Sequence, residues 1–244
     1  MNDGTATVRF VYFDLDDTLI DTTSAVRAGF RDALDSLRRE VAAAGLTPPS
    51  AAFEEKLFGV FGSSFAPEYL AAWLYQAGVA DGFRQRLADE GTAAFRAAVA
   101  TIKPYPEAAD VLARLAAAGV GCGVITDGRT QRQEEKIARS GLARWLGPVF
   151  ISGNYPPFSD KPSQTMFRDG LAACGAPAGE VMFVGDRVKD VIGANLAGMI
   201  SVRVRQGWAA AEEVPADLAA AAPQFDIRHL GELPDLIRPA DEKA

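Results

Sequence analysis

The sequence predicts an α/β fold: a parallel sheet covered by helices on both faces, with a smaller, all-helical region inserted after the first strand. Three observations predict it. Short apolar runs of strand length recur along the chain, amphipathic helical stretches separate them from residue 106 onward, and residues 21–100 carry helical periodicity with no strand pattern. Strands that alternate with helices belong to parallel sheets, and such strands are buried on both faces, so they read as continuous apolar runs.

The elements follow in order. Residues 8–13 (VRFVYF) are expected as one continuous strand. Residues 24–44 place Val26, Phe30, Leu34, Leu37 and Val41 on one stripe of a long amphipathic helix, with candidate N-caps in Asp21–Ser24 and Gly45 at its end. TPPS (47–50) is a turn. Further helical stretches carry Phe53, Leu57 and Phe61, then Tyr69, Leu70, Trp73 and Leu74, then Phe83 and Leu87, then Phe95 and Val99. KPYPEA (103–108) restarts the α/β section. Helices are then expected at 106–118, 130–140, 162–173 and 187–198, and strands at 120–125, 148–151, 180–184 and 200–204. Pro162 is expected in the first helical turn, where a proline's missing N–H costs nothing. Val188, Val191, Ile192 and Leu196 are expected on one side of their helix, and the Ala-rich stretch 216–222 as helix or loop. The division is therefore a discontinuous α/β domain, 1–20 with 101–244, and a helical domain, 21–100.

Composition narrows the function. The chain has 244 residues, 48% hydrophobic and 23% charged, enough for a substantial core. Its 25 Lys plus Arg against 32 Asp plus Glu give a net charge of -7, which argues against nucleic acid or an acidic membrane as partner. No apolar run approaches the ~20 residues of a membrane span, and the first ten residues lack the basic and apolar regions of a signal peptide. Cys122 and Cys174 form no CxxC pair and are expected as buried thiols. A cytoplasmic protein, monomeric or homodimeric, is the expectation.

Ligands of open α/β sheets bind beyond the carboxyl ends of the strands. Strand one delivers Asp14 and Asp16 there. The strand ending at Ile125 delivers Thr126, Asp127 and Gly128. The segment after 148–151 delivers Lys161 at a helix start, and the strand ending at Val184 delivers Gly185 and Asp186, with Asp190 one turn later. Carboxylates crowded together repel, so a cation is needed among them.

DLDDT (14–18), Thr126 in VITDG, Lys161 in DKPSQTMF and GDRVKD (185–190) together resemble the four ordered motifs of the haloacid dehalogenase superfamily. The match spans 8–204. GANLAGM (193–199) and the helical insert are similar to the branch containing phosphoglycolate phosphatase. FDLDDTLIDT with ITDGRTQRQEEKIARSGL resembles phosphatases acting on N-acylneuraminate 9-phosphate or nucleoside monophosphates. The resemblance implies a Rossmann-like three-layer α/β/α core with a helical cap. It also implies a magnesium-dependent phosphatase acting on a small phosphate ester, with Asp14 as nucleophile and Asp16 as acid and base. Asp14, the backbone carbonyl of Asp16, Asp186 and Asp190 are the implied ligands of Mg2+. Thr126, Asp127, Gly128 and Lys161 are the implied phosphate-binding groups.

Physical chemistry agrees. A carboxylate can be the nucleophile of a two-step hydrolysis. Asp16, two residues on, could protonate the leaving oxygen, and a neighbouring carboxylate raises its pKa towards that task. Several residues have plainer readings. Arg27, Arg31 and Arg187 fit solvated faces, Phe61, Phe65, Trp73 and Tyr75 fit a core, and His229 fits a surface role. Asp127 stands where relatives of this kind often carry Asn. A phosphomutase shares the motifs, a phosphonate hydrolase would need Lys56 as a Schiff base, and a silent phosphate-binding module is the non-enzymatic alternative. A dehalogenase would need neither Asp16 nor a metal.

Overall fold

The computed structural model describes residues 5–61, 66–215 and 217–240. The chain divides into two compact units, Met1–Asp21 with Lys103–Ala244, and Thr22–Ile102.

The first unit is built on a six-stranded parallel sheet. After a short strand β1 (Ala6–Val8), its elements are β2 (Phe10–Phe13), α5 (Ala108–Ala117), β3 (Gly121–Thr126), α6 (Thr130–Ser140) and β4 (Val149–Ile151). They continue with α7 (Gln164–Cys174), β5 (Val181–Gly185), α8 (Val188–Leu196), β6 (Ile200–Val204), β7 (Phe225–Ile227) and β8 (Ile237–Pro239). The four helices of the insert, α1–α4, occupy the second unit and are described below. Strand order in the sheet is β4-β3-β2-β5-β6-β7. β2 pairs with β3 on one side, Phe13 opposite Val124, and with β5 on the other, Phe13 opposite Val184. From β2 the chain runs outward through β3 to β4 and returns to β5 on the opposite side. The crevice for a ligand therefore opens where these two directions part, beyond the ends of β2, β3 and β5.

Apolar content explains the strands. Val11, Tyr12, Phe13, Val124, Ile125, Val181, Met182, Phe183 and Val184 are all buried, as central parallel strands require. Tyr12, Ile125, Met166, Phe167, Phe183, Ala194 and Met199 form one core cluster. The Tyr12 hydroxyl donates to the Gly170 carbonyl at 2.8 Å, which satisfies the one polar atom that tyrosine carries inside.

The structure departs from the sequence expectations in several places. The run 8–13 is two strands. At Arg9 the chain changes partners, since β1 pairs with β8 whereas Arg9 N–H donates to Glu180 O at 2.9 Å and the Arg9 guanidinium pairs with the Glu180 carboxylate. The helix expected from Pro162 begins at Gln164, because Ser163 N–H first closes a turn on Asp160 O at 3.0 Å. Leu196 is 61% exposed, and the buried residues of α8 are Val188, Asp190, Val191, Gly193 and Ala194. Phe83 lies in a helix as expected and is exposed under the Arg86 guanidinium, 4.5 Å from its ring centre. Cys122 is buried but Cys174 is only partly so. Beyond residue 204, β7 and β8 add two strands of three residues each, too short to leave a pattern.

The second unit contains α1 (Thr22–Ala43), α2 (Ala51–Phe61), α3 (Ala66–Gln76) and α4 (Asp81–Val99). The stripe of Val26, Phe30, Leu34, Leu37 and Val41 is buried as expected. Phe30 stacks on Tyr69 with ring centres 4.0 Å apart. Trp73 is fully buried, and its indole N–H donates to Glu54 Oε1 at 2.8 Å, while Arg38 Nη2 holds the same oxygen at 2.6 Å. Tyr75 is exposed, with the Arg84 guanidinium 5.0 Å from its ring centre. Phe65 and the side chains of Phe61 and Phe95 lie outside the described residues.

Candidate active site

Each polar group at the sheet's carboxyl edge is delivered by a strand end. Asp14 follows β2, and its N–H donates to Val184 O at 2.8 Å, which extends the ladder by one residue and fixes where the side chain leaves the sheet. The chain then folds into a tight loop. Leu15 O accepts from the N–H groups of Leu19 and Ile20 at 3.0 and 3.1 Å, and Leu15, Leu19 and Ile20 are buried beneath it. Asp17 turns the loop with φ 56, and its carboxylate accepts the Trp208 N–H at 3.3 Å. Only glycine fits at 207, where a Cβ would come within 2.2 Å of Asp17 Cγ.

Asp14, Asp186 and Asp190 are buried, and each offers a carboxylate oxygen such that all three lie within 4.8 Å of one another. Lys161 enters this group as a buried ammonium, 2.8 Å from Asp14 Oδ1 and 2.8 Å from Asp190 Oδ1. Its other side faces the Phe183 ring, 5.4 Å from the centre. One cation cannot balance three carboxylates, and their acidities shift accordingly. Burial pushes the Asp14 carboxyl up, Lys161 opposes that, Asp190 adds to it, and the result is about 6. Burial and the neighbouring Asp190 and Asp14 push Asp186 well above the usual carboxylate range. Burial alone would lower Lys161, but Asp14 and Asp190 outweigh it and hold the ammonium charged. Asp186 Oδ1 is buried and has no hydrogen-bond partner. A buried acceptor without a donor costs about 1–3 kcal/mol. An all-oxygen set with an orphaned acceptor fits a hard divalent cation.

The set is held from behind. Gly185 allows the close approach of Asp190, since a Cβ there would lie 2.5 Å from Asp190 Oδ2. That same oxygen accepts the Arg187 N–H at 3.0 Å, so Asp190 caps its own helix while Oδ1 faces the lysine. Buried Arg203 donates from Nε to Asp186 O at 3.1 Å and from Nη2 to the carbonyls of Ala209 and Glu212 at 3.0 and 2.8 Å. Glu212 Oε2 accepts the Val188 N–H at 2.9 Å.

A second polar group lies beside the first. The Asp16 carboxylate receives Lys136 Nζ at 2.6 and 2.8 Å and Gln133 Nε2 at 2.9 Å. Gln133 Nε2 also lies 2.8 Å from Thr126 Oγ1, at the end of β3.

Residues 8–198 match the family described as haloacid dehalogenase-like hydrolase. The chain belongs to that family. Among its relatives, a glyceraldehyde 3-phosphate phosphatase of Methanopyrus kandleri is 31% identical, over 95% of this chain and 97% of that protein. A phosphoserine phosphatase of Thermus thermophilus is 32% identical over 82% of this chain and 90% of that one. A HAD-superfamily hydrolase structure from Geobacter sulfurreducens superposes with a TM-score of 0.67 at 20% identity, covering 97% of this chain and 99% of the other. A 2-haloacid dehalogenase structure from Pseudomonas syringae gives a TM-score of 0.57 at 26% identity, over 94% and 98% of the two chains. The sheet and its flanking helices are thus the fold of haloacid dehalogenase-like hydrolases.

In this family member the residues singled out from sequence occupy one edge of one sheet. Asp14, Lys161, Asp186 and Asp190 are in mutual contact range. Thr126 and Asp16 are joined through Gln133. Lys161 is not at a helix start but in the loop before α7, where its N–H donates to Asp127 Oδ1 at 2.9 Å. Asp127 Oδ2 pairs with Lys189 Nζ at 2.6 Å, so this carboxylate ties three segments together. The Gly128 N–H is engaged by Ser152 Oγ at 3.0 Å. Sequence reasoning missed Gln133, Lys136, Lys189 and Arg203. The spacing of Gln133 and Lys136, three apart on α6, was the available signal, since such a pair shares a helix face.

Proposed function

We propose that the chain is a magnesium-dependent phosphatase that hydrolyses small phosphate monoesters through an aspartyl-phosphate intermediate. The observation that carries this reading is the pairing of Asp14 with Lys161 inside a group of buried carboxylates at the end of the central strand. Asp14, Asp186 and Asp190 would hold Mg2+, with the Asp16 carbonyl, and the bound ion would neutralise charge on the phosphoryl oxygens. An Asp14 oxygen forms the bond to phosphorus as the ester P–O bond breaks. The departing electron pair stays on the leaving oxygen, which takes the proton of Asp16; Asp16 enters this step as the neutral carboxyl and leaves it as the carboxylate that pairs with Lys136. Water then attacks the aspartyl phosphate, Asp16 takes its proton, and phosphate leaves with Asp14 restored. Lys161 and the Thr126 hydroxyl stabilise the phosphoryl oxygens throughout.

The names of the relatives point the substrate towards three-carbon phosphate esters, glyceraldehyde 3-phosphate and phosphoserine. The helical unit, inserted directly after the nucleophile's loop, is assigned the choice of leaving group. The test is a panel of these two esters with sugar phosphates, a sialic acid 9-phosphate and pyrimidine mononucleotides, with Mg2+ or with chelator. Phosphate release that requires Mg2+ and falls at least ~10³-fold in Asp14→Asn is the expected result. Release of an isomerised phosphate ester would identify a mutase, and turnover of a 2-haloacid without metal would identify a dehalogenase. Either outcome overturns the proposal.

A further inference from the structure

We propose that Gln133 and Lys136 are positioning residues that fix the Asp16 carboxylate and bind it to the Thr126 hydroxyl, so that acid and phosphate-binding groups act as one unit. This rests on the phosphatase reading above and adds two residues to it.

Asp16 sits on a loop beyond the strand, with its side chain 29% exposed. One face of α6 supports it. Lys136 Nζ reaches both carboxylate oxygens, at 2.6 and 2.8 Å, and Gln133 Nε2 reaches Oδ2 at 2.9 Å. Gln133 is itself buried at 2% exposure, which holds its amide in place. A carboxylate only accepts, so the nitrogen of that amide must face Asp16. The second hydrogen on the same nitrogen is then directed to Thr126 Oγ1 at 2.8 Å. Thr126 thereby becomes an acceptor towards Gln133 and keeps its own hydroxyl hydrogen to donate to a phosphoryl oxygen. A single amide thus sets the orientation of Asp16 and the donor direction of Thr126. Near-attack geometry is sensitive to this kind of support, because a misplacement of about 1 Å can cost ~10²-fold in rate.

Leaving groups separate positioning from scaffolding. An alkoxide must be protonated as it departs, whereas p-nitrophenolate leaves as a stable anion and needs little help from Asp16. Lys136→Met should therefore lower kcat/KM about 10–100-fold for the alkyl phosphate that the wild type turns over fastest, and only a few-fold for p-nitrophenyl phosphate. Lys136→Arg should restore most of the loss, and Asp16→Asn should show the same selectivity at larger size. Gln133→Leu should lose rate on both esters, with the larger loss on the alkyl phosphate, because Thr126 is released too. Metal-free melting temperatures verify that each variant is folded. Equal losses on both esters in Lys136→Met, beside a selective loss in Asp16→Asn, would overturn the positioning role and leave the phosphatase reading intact. Equal losses in Asp16→Asn itself would remove the acid assignment, and this inference with it.

Discussion

The two compact units differ in what they bury. The helical unit, Thr22–Ile102, buries aromatic and aliphatic side chains with Thr22 and Thr92 as its buried polar residues among those described. The α/β unit buries Asp14, Asp17, Lys161, Asp186, Asp190 and Arg203. An apolar interior returns stability on folding. Buried charges need partners or a metal to be tolerated at all. Among the described residues the cluster of buried charges lies in the α/β unit, so on the proposed function damage to the helical unit should change stability and substrate choice and leave the response to magnesium unchanged.

The strongest break of this comparison is at Lys161. Lys161→Met leaves buried carboxylates without their ammonium, which should destabilise the metal-free protein by about 3–5 kcal/mol in urea unfolding. The same variant should lose about 10²–10³-fold in turnover with Mg2+ present. A loss below about 1 kcal/mol would show that the charges are not the burden described, since that is the scale of a surface pair. In the helical unit, Trp73→Ala removes a fully buried indole and its bond to Glu54, at about 3–5 kcal/mol by thermal or urea unfolding. There the magnesium concentration for half-maximal activity should stay unchanged while the ranking of substrates shifts. A weakened magnesium response would mean that the units do not divide the work. The smallest effect is expected for Gly185→Ala. A new Cβ 2.5 Å from Asp190 Oδ2 should cost about 1–3 kcal/mol and raise the half-maximal magnesium concentration about tenfold in a metal titration.

The sequence exposed whatever is local or repeated. The runs that became β3, β5 and β6 are long and apolar enough to read directly, and the stripe from Val26 to Val41 recurs at helical spacing over several turns. Asp14, Thr126 and Asp186 stood out because each lies at or just after a strand whose end is predictable, and Lys161 through the motif around it. Contacts set by tertiary packing were not. Arg9 breaks a run that looks continuous because its backbone bonds to Glu180, 171 positions away. Lys136 meets Asp16 across 120 positions, and its spacing from Gln133 shows a shared helix face without showing what that face meets. Arg203 lies in a strand that reads as apolar, and only the carbonyls of Asp186, Ala209 and Glu212 explain why a guanidinium is buried there.

Where the insert leaves and rejoins the α/β unit, the backbone is already stitched: Asp21 N–H donates to Lys103 O at 2.9 Å, Tyr105 N–H to Leu19 O at 3.0 Å, and Ile20 bridges Pro104. The two ends of an 81-residue excursion, 22–102, therefore start and finish as neighbours, and the sheet experiences it as a closed loop. Closing a longer loop costs only about 0.6 kcal/mol for each doubling of length. A change in the insert's length would therefore cost the α/β unit little entropy and leave the backbone that carries Asp14 and Asp16 in place.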